Sequence, residues 1–224
     1  MRSGAEMGSL LSPLDAVLKR SGAHMSEREG WSVAADFGSL AAEIAVSRAT
    51  AGLADVSSIS KFEVRDSATA IADMYPSGRA LRPGCAVQAA DAWWCLISEE
   101  LMLVLASPSR SAPVRADLDD RAGRATVIED VTSDRVAVCL TGPHAREVLV
   151  RAGATATGPG RIRVESIDGS PTLVIHQYET RWLLVAPASE AGALWTALTD
   201  AGSQLGLAYV GADALEHLHA AASA

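Results

Sequence analysis

The chain has 224 residues, a formal net charge of −8, 49% hydrophobic residues and only 4% aromatic residues. The negative charge argues against nucleic acid as an electrostatic partner, and no apolar run reaches the roughly 20 residues that a membrane span needs. The N-terminus lacks a basic region followed by an apolar core, so we predict no signal peptide and a cytoplasmic location. Three cysteines without CxxC or Cys/His spacing favour buried thiols over a metal site.

The first half of the chain predicts two helices, one hairpin and a polar crossing segment. Residues 1–11 show no periodicity and are expected to be loose, whereas Ser12-Pro13-Leu14-Asp15 is typical of a helix N-terminus. A second helix is predicted from Ser39 to Thr50. The polar stretch Arg110–Arg124 is expected to be an exposed crossing segment. Strands are predicted at Lys61–Arg65, Asp91–Ile97 and Leu101–Ala106, the last two as a hairpin.

The second half predicts further antiparallel pairs with helices packed against them. Thr126–Val131 and Arg135–Leu140 are predicted to pair, and Gly142-Pro143 is predicted to open a helix. Later strands are predicted at 162–167, 172–177 and 182–186, and later helices at 189–201 and 212–222. Together these patterns predict an α+β fold of antiparallel sheets with packed helices. Its predicted core includes Val64, Val104, Val138, Leu149, Val174, Leu184 and Trp195.

Four segments follow one another in an order that resembles a known family. They are Ser21–Met25 with Gly30-Trp31, Gly52–Val64, Asp130–Arg135 running to Thr141–Leu149, and Gly206-Leu207 with Gly211–Ala214. In this order they resemble the folate-binding domain of glycine-cleavage T-proteins, the aminomethyltransferases. The resemblance implies such a domain over residues 12–224, without the family's C-terminal β-barrel domain. It also implies tetrahydrofolate as cofactor and one-carbon, aminomethyl-like transfer as the reaction.

The stretch Tyr178–Pro187 resembles the part of the family that holds the pterin ring. A pterin presents a 2-amino group beside a ring N–H, and one carboxylate can accept both donors. In T-proteins this task falls to the Glu of a Tyr-Thr-Gly-Glu-Asp-Gly-Phe-Glu motif. Here the interval from Glu179 to Pro187 agrees with that motif and Trp182 replaces Phe, although the Thr-Gly pair and the later acidic and glycine positions are missing. The resemblance implies cofactor contacts by Glu179, Tyr178 and Trp182; a surface Glu at a strand turn is the alternative.

Asp91 is the acid that matches the family's catalytic carboxylate. The transferred one-carbon unit passes through a cationic, iminium-like species, which a fixed negative charge stabilises as it forms. The loop before Asp91 is shorter than in the family, with Gln88 near the place of a Tyr, and an ordinary turn residue is the alternative. Trp93 and Trp94 are adjacent in a strand and should face opposite sides. We expect one in the core and the other at a ligand pocket or a partner surface.

Two functions remain open from the sequence. One is a tetrahydrofolate-dependent one-carbon transferase or folate-binding protein. The other is a non-catalytic subunit or binding module of a heteromeric complex, as implied by the similarly short γ-subunit of heterotetrameric sarcosine oxidase. A member without the barrel leaves surface that longer relatives cover, so we expect a homodimer or a heteromeric complex. No nucleic-acid or membrane partner is expected.

Overall fold

The structure is a computed structural model that describes residues 8–76 and 81–222. None of the helices in these two ranges is long and apolar enough to cross a membrane. In chain order the elements are β1 (Leu10–Leu11), α1 (Asp15–Arg20), β2 (His24–Arg28), β3 (Trp31–Asp36), α2 (Leu40–Ala49), β4 (Ala51–Asp55), β5 (Ser60–Arg65), α3 (Ala68–Met74), β6 (Cys85–Ala89), β7 (Ala92–Ser98), β8 (Leu101–Ala106), α4 (Ser111–Arg121), β9 (Val127–Asp130), β10 (Arg135–Thr141), α5 (Ala145–Arg151), β11 (Ile162–Ile167), β12 (Ser170–Tyr178), β13 (Arg181–Pro187), α6 (Ala191–Gly202), β14 (Leu207–Tyr209) and α7 (Ala212–Ala222).

Two large sheets dominate the fold. A six-stranded sheet has the order β11-β12-β13-β10-β4-β14, and a five-stranded sheet has the order β6-β7-β8-β5-β9. A third, small sheet contains β1, β3 and β2. The pairs are antiparallel except β1 with β3 and β14 with β4. The predicted α+β class with antiparallel sheets is therefore confirmed, and the two parallel pairs lie at sheet edges.

The apolar core forms layers on both sides of each large sheet. Alternate residues of a strand point to opposite faces, so one strand can contribute side chains to two apolar layers. Between the sheets, Ile175 and Leu183 of the six-stranded sheet share a cluster with Cys95 and Leu105 of the five-stranded sheet. On the outer faces, helices α1, α5 and α6 cover the larger sheet and α4 covers the smaller one. The predicted core residues Val64, Val104, Val138, Leu149, Val174, Leu184 and Trp195 are all buried.

Two segments contain elements that the sequence patterns did not predict. Leu10 and Leu11, within the predicted loose start, form β1 beside Trp31 and Ser32 of β3. The polar crossing segment contains helix α4, whose Val114 and Leu118 are buried. Because these two side chains lie four residues apart, they share one face of the helix and reach the core together.

The predicted pairing of Thr126–Val131 with Arg135–Leu140 is wrong. β9 pairs with β5 at the edge of the five-stranded sheet, whereas β10 lies between β13 and β4 of the six-stranded sheet. The turn between them crosses from one sheet to the other, with the Asp134 amide donating to the Val131 carbonyl at 3.1 Å. Strand β10 is buried on both faces from Val136 to Leu140. A strand buried on both faces belongs inside a sheet that is covered on both sides, and β9 lies at the edge of the other sheet with mostly exposed side chains.

Three hairpins close with two-residue turns that the sequence patterns did not reveal. Their pairs are Glu29-Gly30, Ala90-Asp91 and Asp168-Gly169, and every one of these residues has a positive φ. Turns with two positive φ values match the right-handed twist of the flanking strands, which is why they suit tight hairpins. The middle turn places Asp91 at the tip of the β6–β7 hairpin.

Candidate functional site

A cleft of about 340 Å³ lies between the inner faces of the two large sheets and the first turn of α7. This volume is near the lower end of the roughly 300–1,000 Å³ range of ligand pockets, so it suits a ring system. The apolar part of its lining comes from Val56, Ile59, Trp93, Leu105, Leu183 and Leu215. The polar part comes from Gln88, Asp91, Gln177, Arg181 and Glu216, among others.

Trp93 supplies the aromatic side of the cleft. Its neighbour Trp94 points to the outer face of the same sheet, where it is fully buried and its indole N–H donates to the Ala89 carbonyl at 3.0 Å. Trp93 points inward and its ring meets that of Tyr178 edge-on, with centroids 5.6 Å apart and planes at 79°. The prediction that the two tryptophans face opposite sides is confirmed. The inward one lies at a cavity rather than in the closed core.

A β-bulge in β12 lies on the opposite side of the cleft and sets the direction of the side chains there. Register between β12 and β13 shifts from His176, opposite Trp182, to Tyr178, opposite Arg181. The extra residue is Gln177, and a bulge of this kind re-aims side chains next to it. As a result, Gln177 lines the cleft while the following Tyr178 donates its hydroxyl proton to Gln88 Oε1 at 2.7 Å. Gln177 is 8% exposed, and its Oε1 has no hydrogen-bond partner among the described residues.

Arg181, the first residue of β13, brings a positive charge into the cleft. It is partly buried and also lines a neighbouring cavity of about 320 Å³. Its Nε is buried without a hydrogen-bond partner within residues 8–76 and 81–222. Burial raises the pKa of the Cys139 thiol, although the Arg181 guanidinium beside it acts in the opposite direction. Cys139 is therefore a neutral, unreactive thiol.

Asp91 lies on the rim of the cleft. Its side chain is 75% exposed, and Oδ2 lies 3.4 Å from an Nη2 of Arg110, which precedes α4. Its φ of 60° belongs to the left-handed region that a two-residue hairpin turn requires. Asp91 is thus both a turn residue, as the alternative interpretation held, and a lining residue of the cleft.

Glu179 and Trp182 line a different cavity, of about 550 Å³, together with Arg146, Thr157 and His176. Trp182 is buried and stacks on His176, with ring centroids 4.1 Å apart and planes at 12°. Glu179 is exposed at the tip of the β12–β13 hairpin. The structure therefore brings Asp91 to the cleft and places Tyr178 behind it, against the cleft residues Trp93 and Gln88, but leaves Glu179 and Trp182 outside it. The two carboxylates line separate cavities rather than facing each other across one.

Helix α7 forms the third side of the cleft, and close backbone contact fixes its start. The Gly211 amide donates to Glu43 Oε2 at 2.8 Å, and the other oxygen of Glu43 accepts from the Phe37 amide at 2.6 Å. A Cβ on Gly211 would lie 2.0 Å from the Ala35 carbonyl oxygen. Arg28 also pairs with Asp213 and Glu216 of α7, the latter at 2.8 Å. The role of Glu43 has no sequence signal, because the contact spans 168 residues.

Lys61, the second residue of β5, is fully buried and holds the crossover that precedes its strand. Lys61 Nζ donates to the carbonyl oxygens of Ser57 and Ile59 at 2.8 and 2.9 Å, and to that of Thr132 at 3.3 Å. Burial lowers the pKa of Lys61 from 10.5 to about 8, and burial also raises the pKa of the nearby Asp55. The three hydrogen bonds hold the crossover that contains Val56 and Ile59 of the cleft. No sequence pattern predicted this role of Lys61.

Comparisons with known proteins agree with this architecture. The model of the GCVT N-terminal domain family matches residues 14–223. The glycine cleavage system aminomethyltransferase T from Bartonella henselae aligns with a TM-score of 0.78 and 20% identity, over 92% of this chain and 60% of that protein. A chain of heterotetrameric sarcosine oxidase from Corynebacterium sp. U-96 aligns with a TM-score of 0.61 and 19% identity, over 89% of this chain and 97% of that chain. At 20% and 19% identity, these two similarities show that this chain has the same fold as the two proteins. No curated protein matches the sequence.

Proposed function

The chain belongs to the GCVT N-terminal domain family, and from this premise we propose that it binds a tetrahydrofolate-type one-carbon carrier in the cleft between its two large sheets. The observation that carries the proposal is the cleft itself. It combines ring-sized volume, mainly apolar sides, an aromatic side chain at Trp93 and a few polar groups at one end. Small-molecule sites in proteins have this composition.

Within this proposal, Asp91 is the catalytic carboxylate. Its place on the rim lets it approach a reactive group that projects from a ring held in the cleft. A carboxylate there stabilises an iminium-like cation as it develops. Tyr178, Glu179 and Trp182 are the proposed cofactor contacts. Tyr178 lies beside Trp93 and Gln88 of the cleft, whereas Glu179 at the β12–β13 turn and Trp182 on β13 line the adjacent cavity and would contact a pterin edge that extends into it.

Calorimetric titration of the purified chain with tetrahydrofolate tests the proposal. Saturable binding is expected for the wild type. Stacking of a base on an aromatic side chain contributes about 1–3 kcal/mol, so Trp93→Leu should weaken binding by roughly five-fold to 150-fold. Arg163→Met is the matched control, since Arg163 lies on β11 and pairs with Glu165 at 2.7 Å, outside the lining of the cleft. A wild type that does not bind tetrahydrofolate would overturn the proposal.

Glu179→Ala locates the pterin edge in the same titration. Removing a carboxylate that accepts two buried hydrogen bonds costs about 2–4 kcal/mol, which is roughly thirty-fold to several hundred-fold in affinity. A loss of that size assigns the pterin edge to Glu179. Unchanged affinity places the ring wholly in the cleft and removes Glu179 from the site.

The second candidate function is that of a non-catalytic subunit in a heteromeric complex. Two observations favour it. The chain covers 97% of one chain of a heterotetrameric enzyme but only 60% of the aminomethyltransferase. Glu179 also lies away from Asp91. Affinity purification of the tagged chain from its native source, followed by light scattering, tests this function. A strict monomer without a co-purifying protein would count against it.

A further inference from the structure

We propose that Arg181 recognises the polar edge of the cleft's ligand by donating hydrogen bonds to an acceptor oxygen, which is the ring carbonyl of a 4-oxo pteridine. The inference rests on the proposed function, because it names the part of the carrier that the cleft selects. It concerns a residue that the family resemblance did not assign. Three observations support it: the charge around Arg181, its buried Nε, and the neighbouring amide of Gln177.

The first observation is that Arg181 has no counter-ion. The protein carries 27 acidic residues against 19 basic ones, yet none of the ion pairs within 4.0 Å among the described residues includes Arg181. The cleft's two carboxylates, Asp91 and Glu216, pair instead with Arg110 and Arg28. A partly buried guanidinium without an anion is unfavourable unless a ligand completes its contacts.

The second observation is the position of the donor that lacks a partner. Arg181 Nε is buried and has no acceptor among the described residues. The residue begins β13, where pairing with Thr141 on one side and Tyr178 on the other fixes its backbone. A fixed backbone and a planar donor group make arginine suited to directional recognition of oxygen. The Nε of Arg181 therefore lacks an acceptor although its backbone is held in place by the two neighbouring strands.

The chemistry of the two neighbouring side chains defines the ligand class. A guanidinium has only donors, so it donates to a carbonyl or carboxylate oxygen and has no acceptor for an amino group. Gln177, on the paired strand, has an amide oxygen without a partner, which requires a donor. A donor group beside an acceptor group matches a lactam edge, in which a ring carbonyl stands next to a ring N–H. Because a pterin has one such N–H, this pose gives it to Gln177 in the cleft and not to Glu179, so it goes with unchanged affinity in Glu179→Ala. A 4-oxo pteridine has this edge, and a 2,4-diaminopteridine does not.

The test compares three ligands in calorimetric titrations of the wild type and Arg181→Met. They are tetrahydrofolate, 6-methyltetrahydropterin, which has the ring without the glutamate tail, and 2,4-diamino-6-methylpteridine. The wild type should bind the two 4-oxo ligands at least about tenfold more tightly than the diamino ligand, since a wrong donor leaves buried polar groups unpaired. Arg181→Met should lose that preference, and Arg163→Met should keep it. If Arg181→Met weakens only tetrahydrofolate, the oxygen belongs to the tail carboxylate and the ring assignment is overturned.

Thermal unfolding without ligand provides a second readout. Arg181→Met keeps the length of the side chain but removes a charge without a counter-ion and an Nε without an acceptor, and it loses only the contact of the guanidinium with the neutral Cys139 thiol. The melting temperature should therefore stay equal or rise. A clear decrease would mean that Arg181 is already satisfied in the free protein, and would overturn the inference. Binding of all three pteridines with equal affinity also overturns it while leaving the proposed function intact. No binding of any pteridine by the wild type overturns the proposed function, and the inference with it.

Discussion

A substitution at Gly211, directly before α7, tests how the cleft depends on the packing of this helix. The substitution Gly211→Ala would add a Cβ that lies 2.0 Å from the Ala35 carbonyl oxygen, 2.3 Å from its carbon and 2.5 Å from the Asp36 nitrogen. All three are backbone atoms of the small sheet, so no side chain can rotate away. The start of α7 must therefore move, which also pulls the Gly211 amide from Glu43.

The expected destabilisation follows from these contacts. Forcing one extra carbon into a well-packed site costs about 1–3 kcal/mol, and the buried carboxylate of Glu43 loses one of its hydrogen bonds, which adds roughly 1 kcal/mol or more. For a chain of this size, 1 kcal/mol lowers the melting temperature by about 2–4 °C. Gly211→Ala should therefore lower it by roughly 4–16 °C. Since Ala212, Leu215 and Glu216 line the cleft, tetrahydrofolate affinity should fall as well.

Calorimetric melting of the wild type and two variants provides the measurement. Gly192→Ala is the matched control: it makes the same chemical change in helix α6, where a Cβ would meet nothing within 4 Å. Gly to Ala in a helix is favourable by roughly 0.5–1 kcal/mol, so this control should melt at the wild-type temperature or slightly above. A Gly211→Ala protein that melts within 1 °C or so of the wild type would refute the packing argument, because the backbone would then have room for the Cβ.

Three further predictions concern titratable groups. Asp91→Asn should spare tetrahydrofolate affinity but lower turnover, since it removes charge while keeping shape; equal turnover of variant and wild type would exclude a catalytic role. Between pH 8 and 10 the free energy of unfolding of the wild type, measured in urea, should rise relative to that of Lys61→Met. The pKa of Lys61 is about 8 in the folded protein and 10.5 in the unfolded chain. In this pH range the unfolded state therefore binds more protons, and raising the pH favours the folded state. A parallel pH dependence of the two proteins would contradict that. A thiol reagent should label Cys85 alone in the native protein, because Cys95 and Cys139 are buried and burial raises the pKa of both thiols; labelling of all three without denaturant would disprove it.

Much of the fold could be predicted because its elements have local signals. The Ala212–Ala222 helix and the strand Leu101–Ala106 have the predicted bounds. Helix α4 was missed because it has only two buried apolar residues, and its arginines and aspartates form pairs along the exposed side. The pairing of β9 with β10 was predicted from closeness in sequence. It failed because the choice of sheet depends on burial of both faces of β10, a property of the whole core.

In the candidate site, the position of a residue could be predicted only where a residue type and a turn determine it. Asp91 is the sole acid in its segment, and the hairpin turn brings it to the cleft. Glu179 was selected by counting along the chain, but an interval does not determine which way a side chain points beyond the end of a strand. Gln177 and Arg181 were missed because their direction depends on a bulge, and a bulge is defined only relative to the partner strand.

The pairing of Asp91 with Arg110 bears on which of the two functions is realised. The two groups are 75% and 44% exposed and lie 3.4 Å apart. Ion pairs this exposed contribute about 0–1 kcal/mol, so releasing Asp91 for catalysis would reduce turnover by less than about fivefold. Arg110 is therefore compatible with a working transferase and is no argument for an inactive subunit. The deciding property is the ligand of the cleft, because a carboxylate on the rim can stabilise a one-carbon cation only when a carrier holds that group beside it.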